Sequence, residues 1–423
     1  MRISRIVTGA LLVTLSVTTA FGDEKQYTLQ DAYASALGTN ENIKIAEEGV
    51  VQADSTIDQA RSYIYPHLAA NAGNTWYNET LPPNGGSFLF QPLEQFQAGL
   101  VLTQPLYTGG RTLAAYRTAK TLGEVSRTQL TASQQDMLMN VANAYYEVLR
   151  SQKLVDVSKD SLSRMEHYKK VTERVATTRR NKASISDLLR AKTLVSQAGI
   201  FVVTAQDRLK IARMKLSLLT RLPENALITE PRPQEKPAED LDRLRALALE
   251  HRDDYAGALL KQKVADENIT IVKGGHLPQV YAEGGILYQD SRPAIVTDAT
   301  VYYGGIRLQI PIFEGGLMKA EVSSARSKLR QTEYATKLLE RNIETDVYES
   351  YVNLQTLTTV LASTKLQYAD AKENFDTVTN LFSEGLASSL AVIDSQQALF
   401  LAEREFVGAT YDREVAVLQL QKS

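Results

Sequence analysis

The sequence predicts an α+β membrane protein in which β-hairpins are continued by very long helical hairpins, with this unit present twice. Three observations support the prediction. The stretches TQPLYTGGR, from Thr103, and QIPIFEGGL, from Gln309, share a proline, two large apolar or aromatic residues and a glycine pair in the same order. The residues before each stretch alternate in polarity, which is typical of strands. Residues 111–180 and 317–384, which follow, contain no proline and fit long helices.

The composition excludes several functional classes. The 423-residue chain has 47 Lys and Arg residues against 49 Asp and Glu residues, and it has no cysteine. A nearly balanced charge argues against a nucleic-acid partner, because nucleic-acid binders usually carry a basic excess. The absence of cysteine removes thiol catalysis, disulfides and cysteine-ligated zinc. It also removes the attachment site of a lipoprotein, so we expect no lipid anchor.

The first 22 residues are typical of a secretory signal peptide. Arg2 and Arg5 precede a mostly apolar run that ends at Ala20, and Ala20-Phe21-Gly22 fits a cleavage site. The alternative is a membrane anchor, but the run is shorter than the ~20 residues that a spanning helix needs. We see no other long apolar run and expect no transmembrane helix in the mature chain. A membrane β-barrel stays possible, because its alternating strands escape hydropathy scans.

The chain is predicted to be an internal duplication. The segment Leu29–Pro66 aligns without a gap with Leu241–Pro278, Pro105 aligns with Pro311, and the segment from Asn181 aligns with the segment from Gly385. Self-similarity of this kind indicates a repeated supersecondary unit. We assign the first repeat to residues 23–220 and the second to residues 241–423. Residues 221–240, rich in proline and charge, are predicted to be an extended polar linker.

Each repeat is predicted to contain the same elements in the same order. A short helix and a medium helix come first and end at Pro66 or Pro278. A β-hairpin follows, at about residues 67–105 or 279–311, so that the chain has four strands. The strand before Pro311 is the clearest, with Tyr302, Ile306 and Leu308 on one face. A long helical hairpin completes each repeat, at about residues 111–220 or 317–421, and helices of this length reach roughly 100 Å at ~1.5 Å per residue.

The long helices carry apolar seams with a spacing of three and four residues, as in coiled coils. In the return helices one of the two seam positions is always Ala or Ser, so we expect close approach between neighbouring helices. Small side chains bury little area, which favours many helices packed side by side in a ring. The seams are Leu188, Ala191, Val195, Ala198, Val202, Ala205, Leu209, Ala212 and Leu216 in the first repeat and Val392, Ser395, Leu399, Ala402, Phe406, Ala409, Arg413, Ala416 and Leu420 in the second.

The repeated motif is predicted to join a strand to a long helix. Pro105 and Pro311 lack an amide donor, so they end a strand or lie where no pairing is needed. The large residues after each proline fit the aromatic belt of a membrane–water boundary. The glycine pairs permit positive φ and close backbone approach. The predicted junction glycines are Gly109, Gly110, Gly315 and Gly316.

These motifs together resemble the TolC-like family of outer-membrane channels. The resemblance is carried by QPLYTGG, IPIFEGG, the YP and LP helix ends before each hairpin, and EGLASSLAVIDSQQAL from Glu384. It implies a homotrimer whose twelve strands close one barrel in the outer membrane of a Gram-negative bacterium, continued by a helical tunnel through the periplasm. Barrel closure supports this, because four strands cannot enclose a lumen and open edges are not tolerated in lipid.

The resemblance also implies functional residues at the hairpin tips. Family tips carry a turn glycine, which Gly385 provides in the second repeat and Asn181 replaces in the first. Asp187 and Asp394 match family aspartates that narrow the periplasmic entrance. Ala391 replaces a second aspartate of the second tip. Ala387 stands where some members have an arginine that locks the closed entrance, which leaves open whether the entrance is closed at rest.

Plainer roles compete with these assignments. Asp187 could instead complete a capping box that starts at Ser184, and Asp394 could lie on a solvated helix face. The basic residues of the first tip are candidates for contact with an adaptor protein, although charges at an exposed tip are common. They are Arg179, Arg180 and Lys182.

The sequence contains no recognisable catalytic arrangement. His67, His167, His251 and His276 lack metal-ligand spacing, and no complete phosphate-binding motif is present. We therefore expect no enzymatic activity, metal or cofactor. The predicted function is a passive exit duct for efflux or type I secretion, coupled through a periplasmic adaptor (membrane fusion) protein to an inner-membrane pump of the RND or ABC type. The alternative is a soluble periplasmic coiled-coil adaptor or structural protein; the cargo stays open.

Overall fold

The computed structural model describes residues 26–79, 92–179, 182–233, 240–292 and 299–423, and the predicted signal peptide lies outside them. The first half contains β1 (Gln26–Tyr27), α1 (Leu29–Thr39), α2 (Glu41–Ser62), β2 (His67–Trp76), β3 (Glu94–Tyr107), α3 (Arg111–Arg179) and α4 (Lys182–Thr220). The second half contains β4 (Leu227–Ile228), α5 (Leu241–His251), α6 (Asp253–Gly274), β5 (Gln279–Arg292), β6 (Ala299–Gln309), α7 (Leu317–Ser383) and α8 (Ser389–Lys422).

Local sequence signals set the ends of the shorter helices. Thr28 caps α1 in a reciprocal capping box with Asp31, whose carboxylate accepts the Thr28 amide at 2.8 Å. Asn40 ends α1 and caps α2, and its side-chain oxygen accepts the Asn42 amide at 3.0 Å. Pro66 and Pro278 lie just beyond α2 and α6, which is where a helix must stop before a proline.

The four long strands form one antiparallel sheet in the order β2-β3-β5-β6. Representative pairs are Ala72 with Ala98 and Gly99 with Leu287. The central β3–β5 pairing joins the two halves of the chain. Within the described residues, the outer strands β2 and β6 each leave one edge without a partner strand. Unpaired backbone groups of this kind form a template for another strand.

The long helices lie side by side. α3 packs against α4 and α8, and α8 packs in turn against α7, which gives the lateral order α4-α3-α8-α7. The shorter helices support them, because α1, α2 and α6 contact α3 while α5 and α6 contact α7. α4 and α7 therefore form the two lateral edges of the helical layer, as β2 and β6 do in the sheet.

The predicted seams of α4 and α8 are confirmed. Every predicted seam residue of these two helices is buried or half-buried, and the small ones are among the most buried. Ala191 has no exposed surface, while Ala198 and Ala402 keep 4% and 1%. Such complete burial of a methyl side chain requires the neighbouring backbone to come close, which is what the alternation of small and large residues predicts.

The linker prediction needs a correction. Part of the linker is packed rather than extended into solvent, because Leu227–Ile228 pairs in parallel with Gln26–Tyr27 and Leu222 is buried. The hydroxyl of Tyr145 lies 3.0 Å from the carbonyl oxygen of Tyr27 and 2.6 Å from that of Thr229. Because this one hydroxyl lies within hydrogen-bond distance of both carbonyl oxygens, it holds the two short strands against the middle of α3. Residues 234–239 lie outside the described part of the chain.

One helix bears on the expectation of no membrane-spanning helix without deciding it. Within the described residues one segment, residues 185–220 of α4, is long and apolar enough to cross a membrane by length and composition alone. α4 packs along α3 through the small-residue seam, and its opposite face is rich in exposed apolar side chains. Because both the packed seam and the exposed face of α4 are apolar, the mean hydropathy of the whole helix is high. Composition alone therefore cannot assign α4 to a membrane.

Candidate functional site

The two strand–helix junctions have the same backbone conformation. All four junction glycines have positive φ: 63° and 78° at Gly109 and Gly110, and 62° and 90° at Gly315 and Gly316. Consecutive residues in this region turn the chain sharply, and residues with a Cβ atom rarely adopt it. The glycine pairs therefore let each tilted strand, β3 or β6, turn into its long helix.

The proline positions differ between the junctions. Pro311 follows β6, but β3 continues two residues beyond Pro105, so Pro105 does not end its strand. It sits at a register shift between Pro105 and Tyr107 in the pairing with β5. A register shift is one of the few places inside a sheet where a residue without an amide hydrogen is tolerated.

Gly109 of the first junction packs against its own chain, whereas its counterpart Gly315 does not. A Cβ atom on Gly109 would lie 2.3 Å from the carbonyl oxygen of Gly274, at the end of α6. Cβ atoms on Gly315 or Gly316 would meet nothing within 4 Å. Near them Ile312 and Phe313 are 93% and 88% exposed. Single chains rarely leave such large apolar side chains this open, so the second junction is an incomplete contact.

The lateral edges of the helical layer are apolar. On the face of α4 opposite its seam, exposed apolar residues recur, several of them three or four residues apart. On α7, Tyr334, Leu338 and Leu366 are likewise exposed. The α4 edge stripe consists of Ile185, Leu189, Ile200, Val203, Ile211, Met214 and Leu218.

The second hairpin tip is built on a left-handed glycine and a capped helix. Gly385 has φ 79° directly after α7, and the amides of Leu386 and Ala387 both donate to the carbonyl oxygen of Leu381. Ser388 caps α8 and accepts the amide of Ala391 at 3.2 Å. Asp394, in the second turn of α8, is exposed beside the buried Ser395. Its carboxylate therefore points away from the packed face of its own chain.

At the first tip the capping-box reading is wrong. α4 begins at Lys182, so Ser184 lies inside the helix rather than at its N-cap. Asp187 is then in the second turn and half-buried. Arg180 and Asn181 lie outside the described residues, and the side chains of Arg179 and Lys182 are not described either.

Two charge pairs tie distant elements together. Arg117 on α3 donates to both carboxylate oxygens of Glu267 on α6 at 2.8 Å. This hydrogen bonding raises the pKa of Arg117 and lowers that of Glu267. Arg164 on α3 makes a similar pair with Glu403 on α8, at 3.2 and 2.7 Å, with only 21% and 12% of the side chains exposed. This second pair joins the two halves of the chain.

The described residues contain no cluster of His, Asp and Glu that could hold a metal ion. The closest arrangement is the buried His276, whose Nδ1 lies 3.3 Å from Glu314 and whose Nε2 lies 3.6 Å from Glu321. Because the two carboxylates face different ring nitrogens, they do not converge on one point. This cluster lies beside the second junction and is suited to fixing it, not to coordinating a metal.

A family model described as outer membrane efflux protein matches residues 32–220 and 244–423. Outer membrane protein TolC of Vibrio cholerae is 24% identical over 390 residues, covering 88% of this chain and 84% of that protein. Outer membrane protein TolC of Escherichia coli is 23% identical over 428 residues, covering 98% of this chain and 85% of that protein.

A comparison with solved structures shows the fold. The outer membrane protein VceC from Vibrio cholerae has a TM-score of 0.79 at 18% identity, over 93% of this chain and 94% of that chain. The likeness extends across both halves, and so includes the sheet, the junctions and the long helices.

Proposed function

Because the chain belongs to the outer membrane efflux protein family, we propose its assembly and mechanism from that premise. The protein is an outer-membrane exit duct of an efflux or type I secretion system, and it extends from the outer membrane into the periplasm. The family match confirms the resemblance that the sequence showed, and it favours a channel over a soluble periplasmic adaptor. Members of the family are channels rather than enzymes.

The observation that carries the proposed assembly is that each chain has two unlike open edges. One is formed by β2 and α4, the other by β6 and α7. When unlike surfaces join head to tail, they close a ring if the rotation permits. In lipid the strand edges must also be paired. We infer that three copies close a twelve-stranded barrel, continued by a ring of twelve long helices.

The incomplete second junction supports this assembly. In the first repeat Gly109 rests on Gly274 at the end of α6. In the alignment of the two repeats, Gly315 corresponds to Gly109 and Ser62 at the end of α2 corresponds to Gly274. Gly315 has no such contact within its own chain. A neighbouring copy joined through the β6 edge would bring Ser62 of the partner subunit to this position and cover Ile312 and Phe313.

The proposed partners follow from the architecture. The chain has no nucleotide-binding motif in its sequence, so energy must come from another protein, and channels of this family work with adaptor proteins and inner-membrane pumps. We propose that the tips around Gly385 and residues 179–182 meet a periplasmic adaptor (membrane fusion) protein. An RND or ABC pump in the inner membrane would then deliver the cargo.

The proposed entrance is a ring of Asp394 carboxylates, one from each copy, with Asp187 nearby. The exposure of Asp394 on its own chain is compatible with this role. Three carboxylates around one axis concentrate cations and repel anions. Ala391 leaves the second aspartate position of the family tip without charge.

The assembly is tested by crosslinking detergent-extracted protein and by recording from planar bilayers. We expect a three-chain species, heat-sensitive migration of unboiled samples and a water-filled conductance. A monodisperse monomer that keeps full helicity, with no conductance, would contradict the proposal.

A further inference from the structure

The two faces of the four-stranded sheet differ in polarity. One face exposes apolar side chains such as Leu100 and Ile306, and in a membrane barrel such a face lies toward lipid. The opposite face is polar, and in the proposed assembly it lines the lumen. Among the described residues of the four strands, Glu283 is the one acidic side chain on this polar face, and His67 and Arg307 are the basic ones.

Glu283 and Arg307 form an ion pair between β5 and β6. Nη2 of Arg307 donates to Oε2 of Glu283 at 2.6 Å. The residue directly opposite Glu283 is Gly305, which has no side chain, so the carboxylate meets Arg307 diagonally, two residues along β6. The side chain of Arg307 is 65% exposed and that of Glu283 only 20%. The carboxylate therefore lies against the sheet, and the guanidinium projects from it.

The guanidinium keeps hydrogen-bond donors for a further ligand. An arginine side chain has five N–H donors, and Arg307 bonds to no described residue other than Glu283 through them. The planar guanidinium presents pairs of N–H groups that match the oxygens of a carboxylate or a phosphate. An exposed arginine of this kind is suited to binding an oxyanion.

The first repeat shows that the sheet does not require this ion pair. Counted from the aligned prolines, Glu283 corresponds to Asn71 and Arg307 corresponds to Val101. The strands β2 and β3 nevertheless pair in the register that β5 and β6 use. Formation of the hairpin alone therefore does not account for the charges at Glu283 and Arg307.

The guanidinium stays open when the sheet closes in the proposed trimer. Val101, the counterpart of Arg307, faces Gly285 across the β3–β5 pairing. If β6 meets the next copy in the same register, the residue that faces Arg307 is Gly73 of the partner subunit. Glycine has no side chain to cover the guanidinium. Closing the ring then places three Arg307 side chains at one level of the lumen.

We propose that Arg307 is a specificity-determining residue of the duct, where three guanidinium groups bind carboxylate or phosphate groups of passing solutes. Glu283 holds each guanidinium in place and reduces its net charge. The inference rests on the proposed function, because it needs the closed barrel. A solute would then meet carboxylates of Asp394 at the tips and guanidinium groups at the barrel, separated by the length of α7.

The test measures block of the planar-bilayer conductance by citrate and, separately, by pyrophosphate. Arg307→Gln should raise the half-blocking concentration about ten-fold, the loss expected for one charge-assisted hydrogen bond. Arg307→Lys keeps the charge but not the paired donors and should fall between Arg307→Gln and the unmodified protein. Glu283→Gln should strengthen block, because it removes a neighbouring negative charge. A loss confined to one of the two anions would support the site and narrow its ligand to carboxylates or to phosphates.

The matched control is Arg292→Gln, an exposed position on the opposite face at the far end of β5. This variant removes the same charge from the same sheet and should change the half-blocking concentration less than two-fold. An effect as large as that of Arg307→Gln would overturn the assignment to the lumen face.

An exchange of the two charges, with Glu283→Arg and Arg307→Glu in one chain, separates recognition from a structural role. The exchanged pair can still form, so conductance and heat-sensitive migration should be kept. The exposed position then carries a carboxylate, so citrate block should weaken. Citrate block of unchanged strength in Arg307→Gln or in the exchanged variant, with normal conductance, would overturn this inference alone. Absence of conductance in the unmodified protein would overturn the proposed function and this inference with it.

Discussion

At the scale of single residues, residues of the same kind have different contacts within the chain, and this separates conformational from steric effects. Gly109 and Gly110 both have positive φ, but only Gly109 lies against another backbone. The same holds for charge: Glu267 has a well-placed cation, and Asp394 is exposed on its own chain. Each difference gives a prediction.

Gly109→Ala should destabilise the protein more than Gly110→Ala. Both variants place a Cβ atom in left-handed backbone, which costs about 1–2 kcal/mol. Only the first adds a clash with the carbonyl oxygen of Gly274. The check is thermal melting in detergent, and equal shifts for both variants would contradict the close contact between the first junction and α6.

The Arg117–Glu267 pair should stabilise the fold in a pH-dependent way. Hydrogen bonding to Arg117 lowers the pKa of Glu267 in the folded state. The contribution is therefore complete above the usual glutamate pKa of about 4.3 and is lost as the pH falls through the lower folded pKa. Urea unfolding from pH 7 to pH 3 should show a smaller acid loss of stability in Glu267→Gln. An unchanged pH profile would exclude the pair as a contributor.

Asp394→Asn should lower the cation selectivity of the pore and weaken block by multivalent cations in planar bilayers. Three carboxylates facing a narrow aqueous path attract cations, and the effect should shrink with salt, because the Debye length is about 10 Å at 0.1 M. Ala391→Asp should strengthen block, and Asp187→Asn should change selectivity less. Unchanged selectivity and block in both Asp394→Asn and Ala391→Asp would remove these positions from the constriction.

At the scale of elements, the helices depend on close approach rather than on large side chains. The α4 and α8 seams alternate buried small residues with larger ones. Aromatic rings pack between neighbouring helices. Phe201 and Phe400 stack at 5.3 Å, and Tyr368 and Phe406 at 5.6 Å. Each long helix is consequently sensitive to added volume on its seam face and tolerant elsewhere.

Ala198→Leu or Ala402→Leu should cost about 1–3 kcal/mol, because added methylene groups force a packed seam apart. Gln197→Leu is the matched control, since Gln197 is an exposed neighbour of Ala198 on the same helix. The measurement is the melting temperature of each variant in detergent. A control shift as large as that of the seam variants would reject the seam.

At the scale of the whole molecule, one chain is an open segment with exposed apolar surface both at its edges and on its sheet. The β2 and β6 edges, the α4 edge stripe and the second junction all lie open in the single chain. An edge of this kind explains why α4 passes a composition test for membrane spans although it packs as part of a helical layer. Under the proposed assembly, another copy rather than lipid covers the α4 edge stripe.

Ile200→Lys on the α4 edge stripe should reduce the three-chain species in crosslinking, because it places a charge in the proposed contact between copies. Gln206→Lys adds the same charge on the same helix, at an exposed position about 120° around the helix from Ile200, and should assemble normally. Helical content by circular dichroism should be unchanged in both variants. Normal assembly of Ile200→Lys would show that the stripe is not the interface.

The sequence alone determined the order and kind of the elements, because strands and helices leave local periods of two and of about 3.5 residues. It also indicated the glycine junctions, because positive φ at consecutive residues needs glycine. The small-residue seams were predictable as well, because the spacing of small and large residues can be read directly from the sequence. The family resemblance came from the ordered set of these motifs.

The tertiary structure decided what depends on contacts between distant residues. The sequence left open whether Pro105 ends its strand or lies where no pairing is needed, and whether Asp187 completes a capping box from Ser184. It also predicted an extended polar linker. The register shift at Pro105, the start of α4 and the anchoring of Leu222 and Thr229 depend on neighbours far along the chain. The α4 edge stripe is a second set of apolar residues in the same helix. The sequence analysis identified only the seam, and the structure was needed to show that the stripe lies on the opposite, exposed face.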